Sequence, residues 1–268
     1  MIVWCNGAFV MSLSLPLAER GLMLGDGIFE TIAVRAAQPI WFDPHLARMR
    51  NAAHVLGLPF DEPHIRAAIA EVLSKSAAPS EVLRITLTRG PTGRGFAING
   101  DWPSLIVSLG PFDLTKLPPA VRLATSSIRR NPTAPSSYFK TLSYIDGVAA
   151  AREVSDRADD ALLLNTAGHV ACTTIANIFL LKDGTLITPG DGQGILPGMA
   201  RARIMAGVED LGLSLELRPV RPAEMETADA VFVTNSLRLA TRVSSIDGKP
   251  CGTGDISQIN AFLERSMI

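Results

Sequence analysis

Three cysteines, Cys5, Cys172 and Cys251, are all that this 268-residue chain carries. Odd in number and far apart, they exclude a disulfide framework and a zinc knuckle and fit a reducing compartment. Histidine is equally sparse: His45, His54, His64 and His169 are not spaced as a metal-binding pair on one helical face, so no metal is expected. An excess of one charge is missing too, since 25 basic residues meet 26 acidic ones for a net charge of -1. Nucleic acid would find no attractive field, which removes it from the expected partners. No apolar run reaches the roughly 18 residues that span a bilayer. The amino terminus also lacks a basic stretch followed by an apolar one, so a cytoplasmic protein without a membrane partner is expected. Gly25-Asp26-Gly27 is not the Gly-x-Gly-x-x-Gly of dinucleotide binding, and no lysine follows a glycine-rich loop as in nucleotide hydrolases.

What remains is a composition of 47% hydrophobic and 19% charged residues, that of a soluble globular protein. The length suits one large domain or two ordinary ones. Asn6-Gly7 between two apolar runs predicts an opening type I′ hairpin. Asp43-Pro44 reads as the cap and first residue of an amphipathic helix carrying Leu46, Met49, Ala53 and Leu56, ended by Gly57 and Pro59. A second helix is predicted from Asp61 to about Ser74, with Ile65, Ile69 and Val72 on one face. Strands follow at 82–88 and 105–109, around the loop Arg89-Gly-Pro-Thr-Gly-Arg94-Gly95. The three prolines of Gly110–Pro119 mark a connection, which divides the chain into a small α+β domain at 1–115 and a larger one at 116–268. Beyond it the pattern predicts strands at 121–125, 161–164 and 230–234. It also predicts a meander through the turns at 165–168 and 183–184, and helices at 144–157, 199–211 and, capped by Asp255, 256–264. Strands and helices mix without regular alternation, so the predicted class is α+β.

Lysine is the scarce cation: Lys75, Lys116, Lys140, Lys182 and Lys249 are the whole set. Only Lys140 has apolar and aromatic bulk about it, from Tyr138, Phe139, Leu142 and Tyr144. Desolvation there favours the neutral amine needed for a Schiff base; the other reading is a lysine that snorkels to the surface. Ile195-Leu-Pro-Gly198-Met199-Ala200-Arg201 is a loop turning into a helix, either an anion site or an ordinary helix start. Thr234-Asn235-Ser236, small polar residues after an apolar strand, offer a hydroxyl and an amide to the same anion.

In order along the chain stand Gly25-Asp-Gly-Ile-Phe29-Glu30-Thr31, His45-Leu-Ala-Arg48, Lys140, Gly168 to Asn177-Ile-Phe, Leu-Pro-Gly-Met-Ala-Arg, and Thr-Asn-Ser. This order resembles the class IV (fold type IV) pyridoxal-phosphate enzymes from about Asn6 to Gly248. That family includes branched-chain and D-amino-acid aminotransferases, (R)-amine transaminases and 4-amino-4-deoxychorismate lyases. The resemblance implies a two-lobed α+β fold, whose larger carboxy-terminal lobe has a β-barrel-like core, with the cofactor between the lobes. It implies a homodimer acting on a small molecule, with pyridoxal 5′-phosphate as cofactor. Lys140 would form the Schiff base and shuttle the substrate proton. Arg48, the backbone of Met199 and Ala200, and Asn235-Ser236 would hold the phosphate, and Tyr144 would hydrogen-bond the phenolic oxygen. Some relatives have threonine at the Ala200 position, so one hydroxyl contact is absent here. Arg94 stands where D-amino-acid transaminases place a carboxylate-binding arginine, but Phe96 replaces their histidine two positions on. With Arg130-Asn131-Pro132, the run Arg89-Gly-x-x-Gly-Arg94-Gly-aromatic is closer to the lyases. Thr31, Phe29 and Phe96 would line the substrate pocket.

One position departs. Where the family has a glutamate that keeps the ring nitrogen protonated, this chain has Cys172, and no acidic residue lies between Gly168 and Asn177. A neutral thiol holds a proton poorly, and burial raises a thiol's pKa unless a cation is close. The expectation is that Cys172 faces the ring nitrogen and leaves it largely unprotonated. The resemblance therefore implies a lyase forming 4-aminobenzoate and pyruvate, alternatively a transaminase, alternatively a cofactor-binding protein with weak catalysis.

Overall fold

Asn6 and Gly7 both take positive φ, 44° and 98°. That is the type I′ signature, and it joins β1 (Ile2–Cys5) to β2 (Ala8–Phe9) as the sequence predicts. The structure, a computed structural model, describes residues 1–93, 95–96, 102–113 and 118–267. The chain forms two units: Met1–Thr115 with Phe139–Ser143, and Lys116–Tyr138 with Tyr144–Ile268.

The first unit adds α1 (Arg20–Leu24), β3 (Gly27–Arg35), β4 (Gln38–Pro39), α2 (Phe42–Leu56), α3 (Glu62–Leu73), β5 (Ser80–Thr88) and β6 (Ser104–Pro111). Its sheet runs β2-β1-β6-β5-β3-β4, all neighbours antiparallel. Alternate residues of β3 and β5, among them Ile28, Ile32, Leu83 and Ile85, pack with Leu46 and Met49 of α2 and Ile65 and Ile69 of α3 in one apolar cluster. The start of α2 differs from expectation: Trp41, at φ 52°, occupies the cap position with no side-chain cap bond. Asp43 lies inside the first turn and pairs with Arg66 at 2.7 Å. Pro44 is tolerated there because first-turn N–H groups have no helical acceptor. Asp61 does cap α3, accepting the His64 N–H at 3.1 Å.

The second unit holds β7 (Ala120–Arg130), α4 (Pro135–Tyr138), α5 (Ile145–Val154), β8 (Asp160–Asn165), β9 (Val170–Thr173), β10 (Asn177–Lys182), β11 (Thr185–Thr188), α6 (Met199–Ala206), β12 (Ser214–Leu217), β13 (Ala230–Asn235), β14 (Leu239–Ile246), β15 (Lys249–Pro250) and α7 (Ser257–Arg265). Six of its strands close on themselves, β7-β8-β9-β10-β13-β14 and back to β7. This is the expected barrel-like core, filled by a cluster to which all six ring strands contribute, including Leu123, Leu162, Val170, Ile178, Val231 and Val243.

Several bounds differ from the sequence reading. β14 was not expected, and β7 runs past 125 to Arg130 after an irregularity between Thr125 and Arg129. α5 stops at Val154 rather than 157, and α6 at Ala206 rather than 211. At Gly207 a Cβ would lie 1.9 Å from the Phe262 ring, so close packing by α7 coincides with the helix end. Asp255 lies one residue before the cap position of α7, where it accepts the Ser257 N–H at 2.8 Å.

Candidate active site

Lys140 joins the first unit with the whole segment Phe139–Ser143, and backbone hydrogen bonds place it there. Phe29 N–H donates to the Lys140 carbonyl and Leu142 N–H to the Gly27 carbonyl, both at 2.9 Å, while Thr141 bridges Ile28. The segment thus covers the edge of β3 that β4, paired only at Val34 and Arg35, leaves open. Glycine is required beneath it. A Cβ at Gly27 would lie 2.8 Å from Leu142 Cδ1 and from the Leu87 carbonyl, and Gly25, at φ 66°, lies under Ser143.

β3 presents different side chains to its two faces. On one, the Lys140 amine lies 4.5 Å from the Phe29 ring centroid and the Arg84 guanidinium carbon 3.8 Å from it. Arg84 stands opposite Thr31 in the β3–β5 register, so Phe29, Thr31 and Arg84 share that face. On the other, Glu30 meets α2. Its carboxylate accepts Arg48 Nε at 2.8 Å and Nη2 at 2.7 Å, and His45 Nδ1 lies 2.7 Å away. Burial alone would raise the Glu30 pKa, but Arg48 and His45 bring it down to about 2. Burial pushes His45 down, despite Glu30, and keeps it neutral near pH 7. With Nδ1 as donor to Glu30, His45 Nε2 is an acceptor, buried and without a hydrogen-bond partner. Burial lowers Lys140 to about 8, helped by Arg48 and Arg84 and opposed by Glu30. The neutral amine is accessible near pH 8.

A second cluster lies beside Gly95. Asp26 accepts Arg20 Nε at 2.7 Å and Arg89 Nε at 2.8 Å. Arg20 donates on to the Gly95 carbonyl at 2.9 Å, and Arg89 to the carbonyls of Leu56 and Gly57 at the end of α2. Arg94 itself lies outside the described residues, and Phe96 is 84% exposed.

In the second unit a single row crosses the outer face of the barrel: Leu163, Cys172, Asn177, Thr234 and Ala240 are successive cross-strand partners. Directly opposed residues project to the same side. Cys172 reaches that side because Ala171 is an extra residue between the pairs Leu163–Cys172 and Leu164–Val170, a bulge that re-aims the strand. Burial pushes the Cys172 thiol up to about 11, with Arg130 pulling it down and Asp160 up. Asn177 Nδ2 donates to the Leu196 carbonyl at 2.9 Å, and a Cβ on Gly198 would strike Asn177 Oδ1 at 2.1 Å. The row therefore fixes the turn from which α6 starts, with Met199 half-buried and Ala200 buried. Thr234 Oγ1, in a residue 2% exposed, has no hydrogen-bond partner. Asn235 spends its carbonyl oxygen on the N–H groups of Leu237 and Arg238, at 3.0 and 2.9 Å, and so shapes the turn holding the half-buried Ser236. Tyr144, also half-buried, precedes α5.

The structure thus groups Lys140 with Phe29, Thr31 and Arg48 in one unit, and Cys172 with the start of α6 and the 234–236 turn in the other. Glu30, His45, Arg84 and Asn177 were not assigned roles from sequence, and Thr234 only as the first residue of the Thr234-Asn235-Ser236 anion candidate. Glu30 carried a usable signal: it stands in phase with Ile28 and Ile32, and a carboxylate on a core-facing register needs buried partners.

The sequence pattern of the amino-transferase class IV family matches residues 27–246. An aminodeoxychorismate lyase of Vibrio harveyi is 28% identical, over 91% of this chain and 90% of its own. A solved structure from Legionella pneumophila, provisionally assigned as a 4-amino-4-deoxychorismate lyase, is 32% identical, covers 96% of each chain and superposes with a TM-score of 0.88. The branched-chain aminotransferase of Thermoproteus uzoniensis, solved with norvaline, is 25% identical, with 99% of this chain and 93% of that one covered and a TM-score of 0.88. On its family pattern and its closed barrel, the chain belongs to the class IV aminotransferase family and is a pyridoxal-phosphate-dependent enzyme.

Proposed function

We propose that the chain is an aminodeoxychorismate lyase, which splits its substrate into 4-aminobenzoate and pyruvate. The residues fit the cofactor. A partly desolvated amine with a pKa of about 8 suits its aldehyde. A partnerless buried hydroxyl at Thr234, on the strand that packs against α6, suits its phosphate. When bound, pyridoxal phosphate supplies an electron-withdrawing ring that stabilises negative charge at the substrate carbon bearing nitrogen.

The chain's own residues divide the remaining work. Lys140 would hold the cofactor through its amine and, once the substrate's own amine has released it, would move the proton at the substrate carbon bearing nitrogen. Arg48, made rigid by two bonds to Glu30, holds phosphate together with Ser236 and the N–H groups of Met199 and Ala200. Tyr144 donates to the phenolic oxygen. Thr31, Phe29, Arg94 and Phe96 meet the substrate. Drawing residues of both units to one cofactor rests on membership of the family.

Two features support the lyase reading. The run from Arg89 to Phe96 has the lyase pattern, and Arg20 anchors it at Gly95. Arg130 of Arg130-Asn-Pro132 is held between the carbonyls of Gly194 and Ser136, each at 3.2 Å. The likeness to the Thermoproteus enzyme supports a transaminase as the second reading. A protein that merely stores cofactor has no use for Lys140, so weak catalysis is the least supported reading.

The observation that carries the proposal is the desolvated Lys140 amine. Purified protein should be yellow, borohydride should fix the colour to Lys140, and Lys140→Ala should abolish it. Pyruvate release from aminodeoxychorismate, compared with amino transfer to 2-oxo acids, then separates the readings; transfer without pyruvate release sinks the lyase.

A further inference from the structure

We propose that Cys172 stands as an uncharged thiol at the ring-nitrogen end of the cofactor site and leaves that nitrogen unprotonated. The inference rests on the reading that pyridoxal phosphate binds along the Cys172–Asn177–Thr234 row.

The row supplies the geometry. Its anion end is marked twice, by the orphaned Thr234 hydroxyl and by the start of α6, which Asn177 pins through the Leu196 carbonyl. Cys172 lies two strands from Thr234, roughly 10 Å at ordinary strand spacing. That span suits a flat molecule with a phosphate at one end and a ring nitrogen at the other. The bulge at Ala171 is what turns Cys172 toward it. Asn177, between the two, already commits its Nδ2 to the Leu196 carbonyl. Cys172 is thus the member of the row left for the nitrogen.

The surroundings decide the proton. Cys172 packs with Ala124, Ala150, Val154, Leu163, Ala171 and Ile195, none of which can stabilise a charge. Two charged groups act on it among the described residues: Arg130 on β7 and Asp160 on β8. Asp160 is engaged elsewhere, accepting the Ala161 N–H at 2.8 Å and the Thr174 hydroxyl at 2.5 Å. Arg130 is a fixed cation, and a cation nearby makes a second positive charge on the ring nitrogen less favourable. Burial holds the thiol up to about 11, so it offers no negative partner near neutrality. An uncharged ring draws electrons less strongly. Such a cofactor suits a reaction that expels a leaving group soon after proton loss better than one that must store charge for a full amino transfer.

The test is a nitrogen NMR spectrum of the holoenzyme loaded with cofactor that is 15N-labelled at the ring. Wild type and Cys172→Ala should both give the signal of a neutral pyridine, and Cys172→Glu should shift it to that of a pyridinium. A pyridinium signal in the wild type near pH 7.5 (about one unit above a free histidine) overturns the proposal by itself, even where the glutamate variant fails to fold. A neutral signal in a folded Cys172→Glu holoenzyme overturns the placement. A coloured, borohydride-fixable protein with a protonated ring removes this inference and leaves the cofactor reading standing; a protein that takes up no cofactor removes both.

Discussion

The amine of Lys140 is set by neighbours of opposite effect: burial, Arg48 and Arg84 favour its neutral form, while Glu30 favours the ammonium. Cofactor uptake by cofactor-free protein should therefore accelerate with pH around a midpoint of about 8. Glu30→Gln should move that midpoint down, because the one charge that favours the ammonium is gone. The growth of visible absorbance measures it, and a midpoint near that of free lysine would contradict the desolvated amine. Thr234 makes a second prediction. Its hydroxyl is buried without a partner, so Thr234→Val should leave folding stability nearly unchanged. Cofactor binding should weaken about tenfold, the worth of one hydrogen bond of ~1.4 kcal/mol. A loss of melting temperature with unchanged affinity would assign the hydroxyl to the fold instead. At this scale the sequence was informative where local context decides, as with the apolar flanks of Lys140. It was silent where partners come from distant strands: the Cys172–Asn177–Thr234 row exists only once β9, β10 and β13 are in register.

Among the elements, α2, α3 and the opening hairpin were legible because capping, turn chemistry and period are local signals. β14 and the full length of β7 were not. They are held by parallel pairing to each other and by barrel closure, which residues 120–130 and 239–246 cannot reveal separately. The short stretch 139–143 was legible as chemistry and illegible as structure, since its strand-like pairing depends on the bare edge of β3. Gly27 makes that pairing testable. Gly27→Ala would push a methyl against the Leu87 carbonyl and Leu142. Overpacking of this kind costs about 1–3 kcal/mol, roughly 2–4 °C of melting temperature for each kcal/mol in a protein of this size. Cofactor uptake should slow in parallel, because the displaced atoms belong to the segment carrying Lys140. A variant with unchanged uptake would mean that the segment does not depend on that contact.

For the whole molecule, three desolvated groups give stability the same dependence on pH. Glu30 titrates at about 2 when folded, below its ordinary 4.5, so its contribution is complete above 4.5 and is lost as pH falls toward 2. At ~1.36 kcal/mol per unit that is on the order of 3 kcal/mol. His45 is held below 6.5 when folded, so the unfolded chain binds the proton first and stability declines as pH drops through 6.5. Lys140 acts likewise between 10.5 and about 8, where the unfolded chain is again the better proton acceptor. Cofactor-free protein should consequently be most stable on the alkaline side of neutrality, which urea titrations at a series of pH values would show. Glu30→Gln should flatten the acid limb below pH 4.5, the ordinary Glu value, while costing about 3–5 kcal/mol above it, as breaking a buried ion pair does, a cost that shrinks in acid as the wild type loses the same contribution. The threading of Lys140 also governs inheritance. Because residues 139–143 are encoded after the 1–115 stretch yet fold against it, a chimera that joins the first 115 residues of one relative to the remainder of another takes its reactive amine from one parent. The charges that tune that amine, at Glu30, Arg48 and Arg84, come from the other. Crossover points on either side of Lys140 are thus unequal: only exchanges that keep the lysine and its tuning charges from a single parent pass on a matched pair.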